Sequence, residues 1–574
     1  MKRIILLCLL ALFMFSCESE VPREKLSFTI SQTIFENEPA LKVKMTLNKG
    51  KEGITKLSYK DQAWGEDSLH NVLKRLEIME GGTVEMDRDS GWVTLRHDTM
   101  DKLLQLEYII QQDTDSVIDT RDVYRPIITD EYFQLFGHHL FMVPIAATED
   151  QAFDVEINWD MDESVTLQNS FGGGQNDQLI DNVTLDQFLT SNFVGGDFRR
   201  YEFDLEGNKV SFAIRDQWQQ FDDSTMVAVL KETMKAQRDF WKDHSQPYFS
   251  VTMIPTVQER GSSFQGTGLT HSFATAASNN EYLEVEGLVY LLNHELQHNW
   301  TGSKIKNENE EEQYWFSEGF TDYYTWKNIA QNNIYGLDGS FFIDELNKVI
   351  KALYASPVKE APNSEITYDN FWADRAYAKL PYQRGAIFAF YLDSRIQRDS
   401  HGEESLDNLM LDFLDTADHK ISNQFFIEKA NKYLNEDLTP FFNRHIEEGQ
   451  LFDLAAIFDA LELEHSNTAT VFELGIKWDE QNQTIVEIVP GSNAEKAGMQ
   501  IGDKVIGRSY YYDQPEFEAS FTVLRNDQEI DFSYLPATTA AIPLLMQTEE
   551  NAGLLGYELA DQSTSAVGAP STIN

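Results

Sequence analysis

Residues 294–298 read His-Glu-Leu-Gln-His, an HExxH motif that follows the apolar stretch Leu288–Leu292. In a helix, positions i and i+4 lie on one face, so both imidazoles can reach a single metal ion. Glu295 lies beside that face, where a carboxylate can take a proton from a metal-activated water. Taken alone, the motif also fits a helix carrying two surface histidines. Further along comes Glu318, within Trp315-Phe316-Ser317-Glu318-Gly319-Phe320. Catalytic zinc commonly takes two histidines and one carboxylate and leaves a position for water. Glu318 supplies that carboxylate. Asp322 follows one helical turn later. It suits either an orienting contact to the free N–H of a ligand histidine or a solvated helix position. A third segment, Pro381-Tyr382-Gln383-Arg384-Gly385, offers a phenol that would stabilise an oxyanion if it stood near the metal. Among 23 tyrosines, a packed or surface role for Tyr382 is the simpler reading of that residue by itself.

The remaining composition bounds this chemistry. The two cysteines, Cys8 and Cys17, both lie near the start, so no thiolate site or internal disulfide forms in the body of the chain. Any metal is held by nitrogen and oxygen. The chain has 574 residues, with 46 Lys plus Arg against 94 Asp plus Glu, a balance of −48. So acidic a chain lacks the positive footprint of a nucleic-acid binder. The charge reads as a solubility or salt adaptation rather than as an acidic docking surface.

Lys2 and Arg3, the apolar run Ile4–Phe15 and then Ser16-Cys17 form a secretory layout. Met-Phe-Ser-Cys resembles a bacterial lipobox, which predicts lipidation of Cys17 and export to the cell envelope, on the periplasmic side or the outer surface. The alternative is an ordinary cleaved signal. No later segment reaches the roughly 18 apolar residues of a spanning helix. The expected organisation is a multidomain α+β chain. A signal peptide occupies 1–17, a β-rich N-terminal domain 18–245 and a mainly helical catalytic domain 246–395. Further helices of the catalytic region occupy 396–465, a PDZ-like β domain 466–540, and a tail 541–574. Period-two runs such as LSFTISQTIF and AFDVEINW support the first domain, and amphipathic stretches such as LDNLMLDFL the helical region.

HELQH, WFSEGFTDYY and PYQRG, in that order, resemble the thermolysin-like gluzincin aminopeptidases. With a strand-rich N-terminal part and a PDZ-like end, they most resemble the glycyl aminopeptidase family. The resemblance implies one zinc per chain on His294, His298 and Glu318, with Glu295 as general base and Tyr382 as oxyanion donor. It places Tyr377 in the same wall as Tyr382. It also implies a peptide or protein substrate. In such enzymes a GGLEH-like strand carries a glutamate for the substrate's α-amine. Here that strand is Gly266-Thr267-Gly268-Leu269-Thr270-His271, and Thr270 stands at the glutamate position. A neutral hydroxyl is no anion for an ammonium group. Gly268 and Thr270 remain expected substrate-binding positions. His271 either lines that strand or is an ordinary packed or exposed histidine. A carboxylate from Glu308–Glu312 is a possible replacement anchor, although an acidic run is usually a solvated loop. VPGSNAEKAGMQIGDKVIG (489–507) resembles the PDZ core of bacterial proteases, but little chain remains for the helix that walls the peptide groove. Two other function classes stand beside peptide hydrolysis: a non-catalytic peptide-binding surface lipoprotein, and a zinc hydrolase of a non-peptide substrate.

Overall fold

The structure is a computed structural model that describes residues 24–559, apart from 101, 115–116, 175–176, 260, 417–419, 480 and 512–513. The secretory segment and Cys17 therefore lie outside the described residues. Among the described residues, no helix is long and apolar enough to cross a membrane.

The N-terminal region is built of sheets. Six strands pair in the order Asp177–Thr184, Ala152–Asp160, Glu24–Phe35, Glu38–Asn48, Leu103–Ile110 and Leu73–Ile78. Alternation does the sorting, since Leu26, Phe28 and Ile30 point inward along one strand and are fully buried. A four-stranded and a five-stranded sheet complete the region. Phe28, Phe141, Phe188, Phe193 and Trp159 fill the core between them.

A second five-stranded sheet underlies the helices. Its order is Arg199–Leu205, Asn208–Ile214, Tyr248–Thr256, Ser272–Ser278 and, at one edge, Phe264–Leu269. Asn208–Ile214 runs parallel to Tyr248–Thr256, with Val210 opposite Phe249. Parallel neighbours need a crossover, here the helix Asp223–Trp241. The expected boundary at 245 thus falls inside one sheet, because the strands at 199–214 pair with the catalytic segment. Alternation marks those strands as β but carries no information about which sheet they join.

The HExxH helix is Val285–Gln297. Leu288, Val289, Leu292 and Leu296 recur at helical spacing and are buried against the sheet and the helix Asp223–Trp241. Two helices follow, Glu310–Ser317 and Gly319–Asn332, joined at Glu318. The helix Arg375–Asp399 crosses them. It starts at Asp374, whose carboxylate accepts the N–H of Ala376, and carries Pro381 in its interior. Trp315, Phe320, Phe388, Phe426 and Phe442 make the aromatic core that fixes these helices, with Trp315 and Phe426 edge to face at 4.9 Å. Short helices at Leu406–Leu414, Asn423–Ala430 and Leu454–Ala460 continue the bundle.

Residues 469–540 form a small β unit with its own core of Ile476, Ile485, Phe521, Val523 and Tyr534. Among the described residues, no helix lies between the strands Lys504–Ser509 and Ala519–Arg525. The segment after 540 corrects the expectation of a tail. Leu544–Leu545 pairs with His465–Ser466. Asn551 is fully buried, and its amide donates to the carbonyls of Glu464 and Met546. Tyr557 packs on Phe342 with ring centroids 4.7 Å apart. The final segment DQSTSAVGAPSTIN (561–574) lies beyond the described residues. Up to 559 the apolar residues dock back onto the catalytic helices.

Candidate metal centre

The helical spacing of the HExxH motif does what geometry requires. His294 Nε2 and His298 Nε2 stand 3.2 Å apart. Glu318 Oε2 lies 3.4 Å from the first and 3.6 Å from the second. Zinc with bonds of about 2.0–2.1 Å and tetrahedral angles separates its ligand atoms by roughly 3.3–3.4 Å. The three donors form a triangle of that size, with a His2Glu donor set that suits zinc. The residues present therefore fit the ion. Glu206, Asp239 and His244 form a second, more exposed group of possible donors, but its Asp239 carboxylate is held by Lys235.

The outer nitrogens of both rings are occupied. His294 Nδ1 lies 2.8 Å from Asp322 Oδ1, and His298 Nδ1 lies 3.1 Å from the carbonyl of Thr301. With Nδ1–H donating outward, each Nε2 lone pair faces the metal position. Tyr290 adds a contact not anticipated from sequence: its hydroxyl donates to the same Asp322 oxygen. Tyr290 precedes His294 by four residues, so helical spacing was an available signal for it.

The unmetallated site is a trap for positive charge. Burial disfavours a charged His294, but the hydrogen bonds to Asp322 and Glu318 outweigh it and hold its pKa up, at about 10. His298 is also raised: burial opposes its charged form, and the charge of Glu318 overcomes it. Burial works against ionised Glu318, yet the two histidines hold its carboxyl well below the usual range. A divalent cation takes the place of those protons.

A cavity of about 770 Å³ opens on this centre, with Glu295, His298 and Glu318 in its lining. Gly268, Thr270 and His271 line it as well, so the expected substrate positions and the metal donors share one space. The edge strand Phe264–Leu269 runs close beside the metal helix. A Cβ at Gly266 would lie 3.1 Å from Glu295 Cγ and 2.5 Å from the Phe273 ring. Thr270 shares its hydroxyl with Thr190 at 3.0 Å. The carboxylates of 308–312 are absent from the lining; Glu310 instead accepts from Ser317 and Asn307. Four lining residues come from the N-terminal region and escaped sequence reasoning: Trp64, Asp186, Gln187 and Thr190.

Tyr382 lies on the helix Arg375–Asp399, its ring nearly parallel to His294 at 6.1 Å. Burial and the carboxylates of Glu318 and Asp322 push its hydroxyl well above the ordinary tyrosine range. It therefore stays a neutral donor at physiological pH. Tyr377 is placed differently. Five residues turn a helix by about 140° beyond a full circle, and its hydroxyl donates instead to Glu365 at 2.9 Å. Neither tyrosine is among the residues lining the cavity, and it is the stacking on His294 that puts Tyr382 at the metal centre.

Residues 268–445 match the Peptidase family M1 domain. The fold is similar to that of an aminopeptidase N family protein from Idiomarina loihiensis. The two share 16% identity and a TM-score of 0.67, over 92% of this chain and 100% of that one. An M1 zinc metallopeptidase from Deinococcus radiodurans aligns at 13% identity and a TM-score of 0.44, over 75% of this chain and 95% of that one. A mutant of that enzyme bound to a Tyr-Ser-Ala substrate aligns at 13% identity and a TM-score of 0.43, with the same coverage. No curated protein matches the chain. The M1 domain and the His2Glu triangle define a metallopeptidase catalytic region. Residues 268–445 of that region are a Peptidase family M1 domain, and its donor set fits a zinc cofactor.

Proposed function

We propose that this protein is a zinc aminopeptidase that removes residues from the free N-terminus of peptides entering the 770 Å³ cavity. The observation that carries the reading is the donor triangle of His294, His298 and Glu318 beside Glu295, inside an M1 domain. In this reading those three residues hold the ion. Bound there, zinc supplies Lewis-acid polarisation of the scissile carbonyl and acidifies a water.

The protein's own groups do the rest. Asp322 and the Thr301 carbonyl hold the two imidazoles in the tautomer that presents Nε2. Glu295, adjacent to the first ligand, accepts the proton of the attacking water on its carboxylate and passes it to the leaving amine. The Tyr382 hydroxyl donates a hydrogen bond to the carbonyl oxygen as negative charge builds on it. The edge strand Phe264–Leu269 has an open main-chain edge, against which an extended peptide can pair.

Outside the catalytic region, Cys17 is read as the lipid attachment point that tethers the enzyme to the cell envelope. Residues 466–540 are read as a PDZ-like module that packs or orients substrate, since no groove-forming helix follows Lys504–Ser509 among the described residues.

Peptide-library profiling of the zinc-loaded protein tests the reading. Stepwise loss of single residues from free N-termini supports it. Internal cuts would make the protein an endopeptidase. No cleavage by protein shown to hold zinc would favour a peptide-binding lipoprotein or a hydrolase of another bond.

A further inference from the structure

Exposed apolar residues scattered singly need no explanation, but several gathered at one end of a domain do. The N-terminal region has such an end. Leu103 pairs with Asn48 at the last rung between their strands. The Met79 N–H donates to the Gln105 carbonyl on the same side, at 3.0 Å. In the neighbouring four-stranded sheet, Gly82 and His97 form the last rung. The connections 79–81 and 98–102 therefore leave at one place. They touch there: a Cβ on Gly81 would lie 3.6 Å from Asp98 Oδ2. Met79, Met100 and Leu103 are 45%, 90% and 57% exposed.

The strand that begins at Glu24 starts at this same end. Ser27 stands opposite Thr46 in an antiparallel pair, so Glu24, three residues back, is level with Lys49. The Lys49 N–H in turn donates to the Lys102 carbonyl at 2.8 Å. Leu103 is two strands from Glu24, about 10 Å across the sheet. Cys17 precedes Glu24 by seven residues. Seven steps of chain reach at most about 25 Å.

We propose that Met79, Met100 and Leu103 form a membrane-contact surface. With Cys17 lipidated, this end of the six-stranded sheet rests on the bilayer, and the three side chains enter the boundary between headgroups and acyl chains. This rests on the lipid-anchor reading of Cys17 and assigns the face of the protein that meets lipid.

The tether and the surface support each other. A short link makes the contact effectively intramolecular, so a surface too small to bind lipid from solution can still dock. Stable attachment is a matter of two signals acting together, an acyl group and a second contact. The surface is preformed. Asp98 accepts the Met100 N–H at 3.1 Å, and the His97 ring is fixed between the Thr55 hydroxyl at 2.8 Å and the Asp98 carbonyl at 2.7 Å. Methionine side chains adapt to an irregular partner such as lipid. Charge selects the kind of lipid. Glu52 and Glu80 are exposed in the adjoining loops, and Lys49 is paired with Asp98 at 2.7 Å. On a chain with a balance of −48, this end favours a zwitterionic surface over an anionic one.

The test uses full-length, lipid-modified protein in vesicles of phosphatidylethanolamine and phosphatidylcholine. The chain has no cysteine after Cys17, so Met100→Cys supplies one free thiol for an environment-sensitive fluorophore once Cys17 is acylated. Ile34→Cys is the control: Ile34 is 64% exposed and lies at the opposite end of the same sheet. The label at position 100 is expected to shift to the blue and to be quenched by lipids spin-labelled near the headgroup. The label at position 34 is expected to do neither. Exchanging phosphatidylcholine for phosphatidylglycerol is expected to weaken the quenching. Leu103→Cys serves if Met100→Cys does not fold, and unchanged zinc content reports an intact protein. A label at 100 that stays in water, or labels at 100 and 34 quenched alike, overturns the contact surface when mass spectrometry shows Cys17 acylated, and spares the anchor. A blue shift at 100 without lipid quenching also overturns it, since a second copy of the chain would then cover the patch. Absence of acyl groups on Cys17 overturns the anchor reading itself.

Discussion

Gly319 and Gly385 meet backbone to backbone: a Cβ on Gly319 would lie 2.4 Å from the Gly385 Cα, and a Cβ on Gly385 would lie 2.0 Å from the Trp315 carbonyl oxygen. Each glycine sits one or three residues from a functional side chain, Glu318 and Tyr382. The contact lets the helix that follows Glu318 lie directly on the helix that carries Tyr382. Metal donor and phenol are thus set by one helix–helix approach.

Alanine at either glycine must separate the helices. Gly319→Ala is expected to lower stability by about 1–3 kcal/mol, the usual cost of overpacking. It should also weaken zinc retention, because Glu318 moves with the helix start. Denaturant unfolding and chelator competition on the same variant check both effects. A variant with wild-type stability would mean that the helices do not touch there.

The bond from Asp322 to His294 predicts a defect in metal affinity. Asp322→Asn is expected to weaken zinc binding about 10–100-fold, the range for loss of an outer partner of a ligand histidine. Competition with a chromophoric chelator reads it directly.

Tyr382 stays protonated and faces the carboxylate side of the centre. Tyr382→Phe is expected to lower kcat about 100–1,000-fold with KM little changed and zinc retained. A parallel loss of zinc would instead assign the tyrosine to metal retention.

The raised pKa of His294 gives the metal-free protein a defined pH dependence. Its unfolded value is about 6.5 and its folded value about 10. A raised folded pKa means that the stabilisation is complete below the unfolded value and is lost as pH rises through the folded one. Chelated protein should therefore lose stability between about pH 6.5 and 10, while zinc affinity climbs over the same window as competing protons leave. Proton release on zinc binding, followed by calorimetry in buffers of different ionisation enthalpy, checks the sign.

The segment 541–559 is expected to be integral to the catalytic helices. Tyr557→Ala, which empties a buried site against Phe342, should cost about 3–5 kcal/mol and leave zinc binding intact. A variant of unchanged stability would restore the picture of a tail.

What the sequence revealed and what it hid divide by range. His294 and His298 are related by helical spacing, as are Glu318 and Asp322 on a later helix, so residue types and counting point to each pair. The glycines of SEG and RG stood inside the same motifs, but their role depends on two helices 66 residues apart in the chain crossing, and counting says nothing about crossings. Asp186 and Trp64 reach the cavity only because the N-terminal sheets dock beside the edge strand through the Thr190–Thr270 bonds. The resemblance places Tyr377 in one wall with Tyr382, but the helical turn sends it to Glu365. Strands 199–214 show their alternation plainly, yet sheet membership is settled by parallel pairing across a 33-residue connection.

The central claim is that His294, His298 and Glu318 together hold the catalytic ion. Metal analysis by mass spectrometry on purified wild type, His298→Ala and Glu318→Gln tests it most directly. The account predicts about one zinc per wild-type chain, the stoichiometry of a single His2Glu site, with that zinc lost from His298→Ala and much reduced in Glu318→Gln. Wild-type protein that takes up no zinc from zinc-supplemented growth, or variants that keep a full complement, would contradict it.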